Sequence, residues 1–169
     1  MPLRRHPVAV PHARDPLARL PLDTALVGRL RRTYERVRAR EHRLAEIFYD
    51  KLFAAAPHLR SMFRSGPEAQ SEKLMSALDA VVRNFEQPSE NAALLADLGR
   101  RHADYGAQPE HYALVTDLLI ESMRELLGAE RDEQSMEEWR LALRLISSQM
   151  IGAAEEKSPP CGAKGAARR

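Results

Sequence analysis

From Leu22 to Glu155 the apolar residues recur every three or four positions, with no sustained period-two alternation and few β-branched residues. That spacing predicts an all-α segment, and local chemistry predicts where each helix starts and stops. Asp23 is placed to cap a first helix reaching about Ala39. A second covers about Glu41 to Ala55 and is closed by Pro57, after which a short helical turn leads to Phe63. Beyond the break RSGP, a third covers about Pro67 to Phe85, with Pro67 suited to a first helical turn. Ser89 caps a fourth through about Ala103, ended by Gly106, and Pro109 opens a fifth that stops at Gly128. The last begins at Ser135, where Glu138 three residues later completes the pattern of a capping box, and runs to about Glu155.

The flanks have a different character. Pro2, Pro7, Pro11, Pro16 and Pro21 punctuate residues 1–21, which predicts an extended or disordered arm, because proline fixes φ and removes a donor. Residues 157–169 form a low-complexity basic tail, KSPPCGAKGAARR, predicted to be disordered. One helical domain over residues 22–156 is left between them, and a chain of 169 residues is long enough to bury a core unaided. The net charge of +2 hides an uneven distribution: Arg4, Arg5, Arg14 and Arg19 face only Asp15 in the arm, and the tail carries Lys157, Lys164, Arg168 and Arg169 with no acid. Neither end interleaves aromatics with its charges, so specific nucleic-acid recognition is not expected. Cys161 is the only cysteine, which excludes a disulfide framework or a thiolate metal cluster. The N-terminal stretch lacks the apolar run of a signal peptide, and nothing approaches the roughly 18 apolar residues of a membrane span. The expectation is a soluble, cytoplasmic protein with no membrane partner.

Three polar side chains sit where the helical pattern calls for apolar ones. Leu95, Leu98, His102 and Tyr105 share one face of the fourth helix, so His102 lies on its apolar stripe and is expected to face inward. A buried imidazole either satisfies its nitrogens with a carbonyl or hydroxyl, or coordinates a metal, and spacing leaves both open. Gln70 heads the stripe Leu74, Leu78, Val81 and Phe85 on the third helix, and Tyr49 lies among Ala45, Phe48, Leu52 and Phe53 on the second. The Tyr49 hydroxyl needs a partner, which a backbone carbonyl could supply; Gln70 could equally be a fraying helix end. His111, beside Glu110 in the first turn of the fifth helix, reads as a surface residue, and Trp139, followed by Leu143, Ile146 and Met150, as core. Nucleophile elbow, phosphate loop, dinucleotide fingerprint, zinc-protease motif and EF-hand loop are all missing.

Five stretches in order, IFYDKLFAAAP, SMF, QSEKL, LGRRHADYGAQPEHY and EEW, together resemble the globin family. The likeness covers about residues 22–155 and is nearest to bacterial single-domain haemoglobins and to the globin domain of flavohaemoglobins. It implies the three-over-three helical sandwich of that fold and haem b as cofactor. His102 matches the proximal iron ligand, Phe63 the phenylalanine wedged against the porphyrin, and Pro57 the proline opening the short helix before it. Tyr49 and Gln70 match the distal pair that stabilises bound O2 in flavohaemoglobins, and Leu74 the apolar residue over the haem. Tyr112 matches a proximal tyrosine that works with a glutamate of the last helix. Arg101 and Lys73 are candidates for haem-propionate contacts, with solvated surface charge the competing account of each.

The resemblance has two departures. Counted from Trp139, the glutamate's position holds Ala154, and Glu155 comes one residue late, about 100° around the helix. The FAD and NAD(P)H domains of a flavohaemoglobin have no counterpart in the chain, so turnover that oxidises iron implies a separate reductase. The functions implied are reversible binding of O2 or another diatomic gas, and nitric oxide dioxygenation with a reductase partner. A gas-sensing module whose basic arms contact a partner is the alternative from the interaction class.

Overall fold

A computed structural model of the chain describes residues 23–157, so the readings of the proline-rich arm and most of the basic tail lie outside the described residues. Six α-helices follow one another: α1 Thr24–Arg38, α2 Glu41–Ala55, α3 Pro67–Arg83, α4 Pro88–Asp104, α5 Pro109–Leu127 and α6 Glu133–Lys157. Short 3-10 segments at Pro57–Met62 and Gly128–Glu130 join α2 to α3 and α5 to α6. The helices form the expected three-over-three sandwich, with α1, α3 and α4 laid over α2, α5 and α6. Among the described residues no helix is long and apolar enough to cross a membrane.

Local chemistry explains most boundaries. The Asp23 carboxylate accepts the Leu26 N–H at 2.6 Å and caps α1, and Gly128 ends α5 at φ +52°, a conformation that favours glycine. Two expected caps are corrected. Ser89 does not cap α4: the helix already starts at Pro88, whose fixed φ and missing N–H suit the first position, so Ser89 falls inside the first turn. Ser135 does not cap α6 either. Asp132 accepts both the Ser135 N–H at 3.1 Å and its hydroxyl at 2.6 Å, while Glu138 is drawn away to a bidentate pair with Arg29 of α1, at 2.8 to 3.1 Å. Those hydrogen bonds hold the Asp132 carboxyl below the usual carboxylate range.

Among the described residues the core is mainly aliphatic, with Tyr34, Phe48, Phe85 and Trp139 as its buried aromatics. Leu30, Leu44, Leu52, Leu95, Ile120 and Met136 are fully buried, and Trp139 lies among them with its ring 6.5 Å from Tyr34 and 6.3 Å from Phe85. Its spacing marked it as core, and core it is. The crossing of α4 on α6 is unusually close. A Cβ on Gly99 would lie 2.1 Å from the main-chain oxygen of Met150, so only glycine permits this approach. The crossing seats α4, and with it the residues one turn further on.

Candidate functional site

Along the face of α4 that carries His102, burial falls away steadily. Leu95 is fully buried, Leu98 half-buried, His102 exposed and Tyr105 68% exposed. His102 therefore does not face the packed interior, as its spacing suggested; it stands where the apolar stripe runs out of the core. Its Nδ1 lies 2.8 Å from the Leu98 carbonyl oxygen, one turn earlier. A carbonyl only accepts, so Nδ1 carries the hydrogen and Nε2 keeps an uncommitted lone pair directed away from the helix. The Tyr112 ring of α5 lies 6.0 Å from the imidazole, and burial raises its pKa above the ordinary phenol value. In the last helix Ala154 is half-buried and Glu155 exposed. Tyr112 thus lies beside the His102 ring, and among the described residues neither Ala154 nor Glu155 is bonded to it.

The other wall comes from α2, the following 3-10 segment and α3. Tyr49 stacks on Phe53 at 5.8 Å and meets the edge of Phe63 at 5.6 Å, and Phe53 and Phe63 lie 5.4 Å apart, so three aromatic rings brace one another. The Arg60 guanidinium sits 4.6 Å over Phe53. The Tyr49 hydroxyl donates to the main-chain oxygen of Gln70 at 3.2 Å, so the backbone-carbonyl account of this phenol holds, and burial pushes its pKa up to about 12. Gln70 and Leu74 are half-buried on α3. The two walls meet at one edge, where Met62 lies within van der Waals reach of the space beside Gly106 and the His58 and His111 rings are 6.2 Å apart. His111 is more than a surface residue: it is half-buried, and its Nδ1 accepts the Gln108 N–H at 3.1 Å at the start of α5.

Arg101 and Lys73 are both exposed and have protein partners, Asp97 at 2.6 Å and the Ser65 hydroxyl at 2.8 Å. Sequence reasoning gave no site role to Phe53, Met62 or Gly99. Phe53 was visible on the apolar face of α2, and Gly99 as a glycine inside a helix, but their partners come from distant parts of the chain.

The donor set limits what such a site can hold. Among the described residues no three His, Cys, Asp or Glu side chains gather, so a bare cation finds no protein cage. A single imidazole with a free nitrogen suits a metal that brings its own macrocycle. Tyr49, Phe53, Phe63, Leu74, Leu98 and Tyr112 are all packed on the core yet only partly covered, an apolar surface of the kind a flat porphyrin would cover. The residues fit a haem.

An all-α sandwich with a free imidazole and a braced aromatic wall defines a protein of globin type. The Globin family profile matches residues 46–150, and the chain belongs to the globin family. It is 30% identical over 112 residues to a flavohaemoprotein of Rhizobium meliloti, an alignment that takes in 64% of this chain but 28% of the relative. The chain thus spans little more than a quarter of the length of that relative. An engineered carbene transferase, named as a putative nitric oxide dioxygenase from Rhodothermus marinus, superposes with a TM-score of 0.71 at 26% identity, covering 80% of this chain and 95% of the other. A bacterial globin of Campylobacter jejuni shares the fold with a TM-score of 0.70 at 20% identity, covering 80% and 98% of the two chains.

Proposed function

We propose that the chain holds haem b through His102 and binds O2 reversibly between its two walls. The observation that carries this is the His102 ring itself: Nδ1 is fixed on the Leu98 carbonyl, and Nε2 is left free on an exposed side chain. A carbonyl that accepts from the other ring nitrogen orients a ligating histidine in this way, setting both tautomer and ring plane. When bound, haem supplies an iron that coordinates diatomic gases. The chain supplies the rest. Phe63 and Leu74 offer apolar surface to the porphyrin, Tyr49 and Gln70 make the polar part of the ligand side, and Tyr112 backs the imidazole. Arg101 and Lys73 are available to haem propionates, because exposed pairs such as those with Asp97 and Ser65 hold them by only about 0–1 kcal/mol.

Visible spectra of purified, haem-reconstituted protein test this reading. Wild type is expected to show a Soret band, and His102→Ala to lose the five- or six-coordinate histidine spectrum, with added imidazole restoring it. A wild type without a Soret band would falsify the reading.

Nitric oxide dioxygenation is the second reading, favoured by the flavohaemoprotein relatives and by the name of the Rhodothermus marinus protein. It requires electrons that return the iron to the ferrous state after each turnover. Sustained NO consumption by the oxygenated protein only when a flavin reductase and NAD(P)H are added supports it; a single turnover that no reductase can renew rejects it. The gas-sensing alternative would rest on the basic arms, and deletion of residues 1–21 or 157–169 without change in any binding partner removes its basis.

A further inference from the structure

We infer that the cleft between α1 and the start of α6 is a binding site for a phosphoryl group, free or carried by a small molecule. This site stands apart from the haem reading, because none of the residues assigned to haem lines the cleft. About 160 Å³ is open there, the share of roughly five water molecules, and the lining includes Arg29, Arg32, Thr33 and Arg36 of α1. Arginines spaced by three and four residues lie on one helical face, where like charges repel unless anions offset them. Their partners therefore decide the charge of the cleft. Glu138 takes Nε and Nη2 of Arg29 at 2.8 to 3.1 Å and leaves Nη1 without a partner among the described residues. Arg36 donates from Nη1 to the uncharged main-chain oxygen of Glu130 at 3.2 Å and pairs with no carboxylate among the described residues. Arg32 is exposed and has no hydrogen bond or ion pair among them at all. The nearby acids are engaged elsewhere: Glu130 pairs with Arg40 at 3.3 Å, and Asp132 accepts the Ser135 N–H and hydroxyl. Across the charged groups that line the cleft or bond to its lining, four guanidinium groups meet three carboxylates. One positive charge is left over, so the cleft attracts an anion and repels a cation.

A second observation points the same way. Thr33, in the turn that carries Arg32 and Arg36, is only 8% exposed, and its hydroxyl has no hydrogen-bond partner among the described residues. Buried hydroxyls usually find one, and within a helix the carbonyl four residues back is at hand, as Leu118 is for Ser122 at 2.7 Å. Thr33 instead keeps its donor on the wall of the cleft. A phosphoryl group has three or four oxygens to accept from that hydroxyl and from the forked donors of Arg32 and Arg36, a geometry that guanidinium groups match and ammonium groups do not.

Titration of the full chain with inorganic phosphate, pyrophosphate and ADP tests this, at constant ionic strength set by chloride and read by calorimetry and by the shift in Tm. Two charge-assisted hydrogen bonds correspond to a phosphate dissociation constant of about 1 mM. Arg32→Gln and Arg36→Gln are each expected to weaken binding about tenfold, and Thr33→Val about fivefold. Arg32 bonds to nothing else among the described residues, so Arg32→Gln keeps the fold. Arg31→Gln is the control: it removes an α1 arginine that pairs with Glu86 outside the cleft, and should leave the affinity unchanged. Pyrophosphate or ADP binding about tenfold more tightly than phosphate upholds the site and assigns it to a phosphoryl group on a larger molecule; equal or weaker binding of both upholds it as a site for the free ion. No saturable binding of any of the three at about ten times the expected constant overturns the inference. So does an affinity that Arg31→Gln lowers as much as Arg32→Gln, which would make it a diffuse effect of surface charge.

Discussion

Replacing Gly99 by alanine puts a methyl carbon 2.1 Å from the Met150 oxygen and 2.8 Å from its carbonyl carbon and Cα. All three obstacles are main chain inside a 25-residue helix, so no rotamer change relieves them. Either α4 lifts off α6 by more than an ångström or the strain stays. Overpacked core sites cost about 1–3 kcal/mol, and a backbone obstacle places Gly99 at about 3. Alanine returns about 1 kcal/mol because it is the better helix former. The net loss is about 2 kcal/mol, which for a domain of this size lowers Tm by about 4–8 °C. Thermal unfolding of the haem-free protein by circular dichroism reads it. Gly152→Ala is the control, because it lies in the same α6 with nothing within 4 Å of its new Cβ, and should gain about 0.5–1 kcal/mol. His102 lies one turn beyond Gly99, so Gly99→Ala should also release haem faster than Gly152→Ala does. If Gly99→Ala matched Gly152→Ala in Tm, the close crossing of α4 on α6 would be refuted.

Gly106 adopts φ +92° with only the Met62 methyl near it, so Gly106→Ala should cost about 1–3 kcal/mol through backbone strain alone, read as a fall in the denaturant midpoint. Asp23→Ala removes the α1 cap and should lower stability by about 1 kcal/mol, while Asp23→Asn, which still accepts the Leu26 N–H, should recover most of it. Burial raises Tyr49 and Tyr34 to about 12, with Asp79 adding to the effect on Tyr34. A raised folded pKa means that this contribution to stability is complete below the unfolded value of about 10 and is lost as pH rises toward 12. Unfolding midpoints should therefore fall between about pH 10 and 12, and less steeply in Tyr49→Phe; identical slopes would contradict a buried Tyr49.

Boundaries that depended on neighbours in the chain were mostly legible, the start of α4 at Pro88 rather than after Ser89 being the exception. Asp23, Pro57, Pro109 and Gly128 act through atoms within a turn of themselves, and they sit where the pattern put them. The start of α6 was not legible in the same way. Asp132 and Ser135 are both competent caps, and the choice turned on Arg29, which takes Glu138 from across the sandwich and leaves Ser135 to donate to Asp132. Gly99 was visible as a glycine in a helix, but the reason for it, the Met150 carbonyl, belongs to another helix. The need of the Tyr49 hydroxyl for a partner could be read from its place on an apolar face; the identity of that partner could not.

The candidate ligand shows how a periodicity argument and an exposure measurement can disagree over one residue and still point to one site. Spacing placed His102 on the apolar stripe of α4, and the structure finds it exposed. Both hold because the stripe does not end at the edge of the protein core. Leu95 and Leu98 lie inward along it, while His102 and Tyr105 carry it out to the exposed end of α4. An ordinary surface helix places charges there. Here the exposed end of the stripe carries an imidazole with a free nitrogen, and Tyr112, Phe53 and Phe63 on other elements are aromatics only partly covered by the core, side chains that are costly to leave in water. Periodicity registers what a helix face is shaped to meet, whereas exposure registers what the polypeptide alone provides, and at His102 the two differ as they should for a side chain whose proposed partner is a haem.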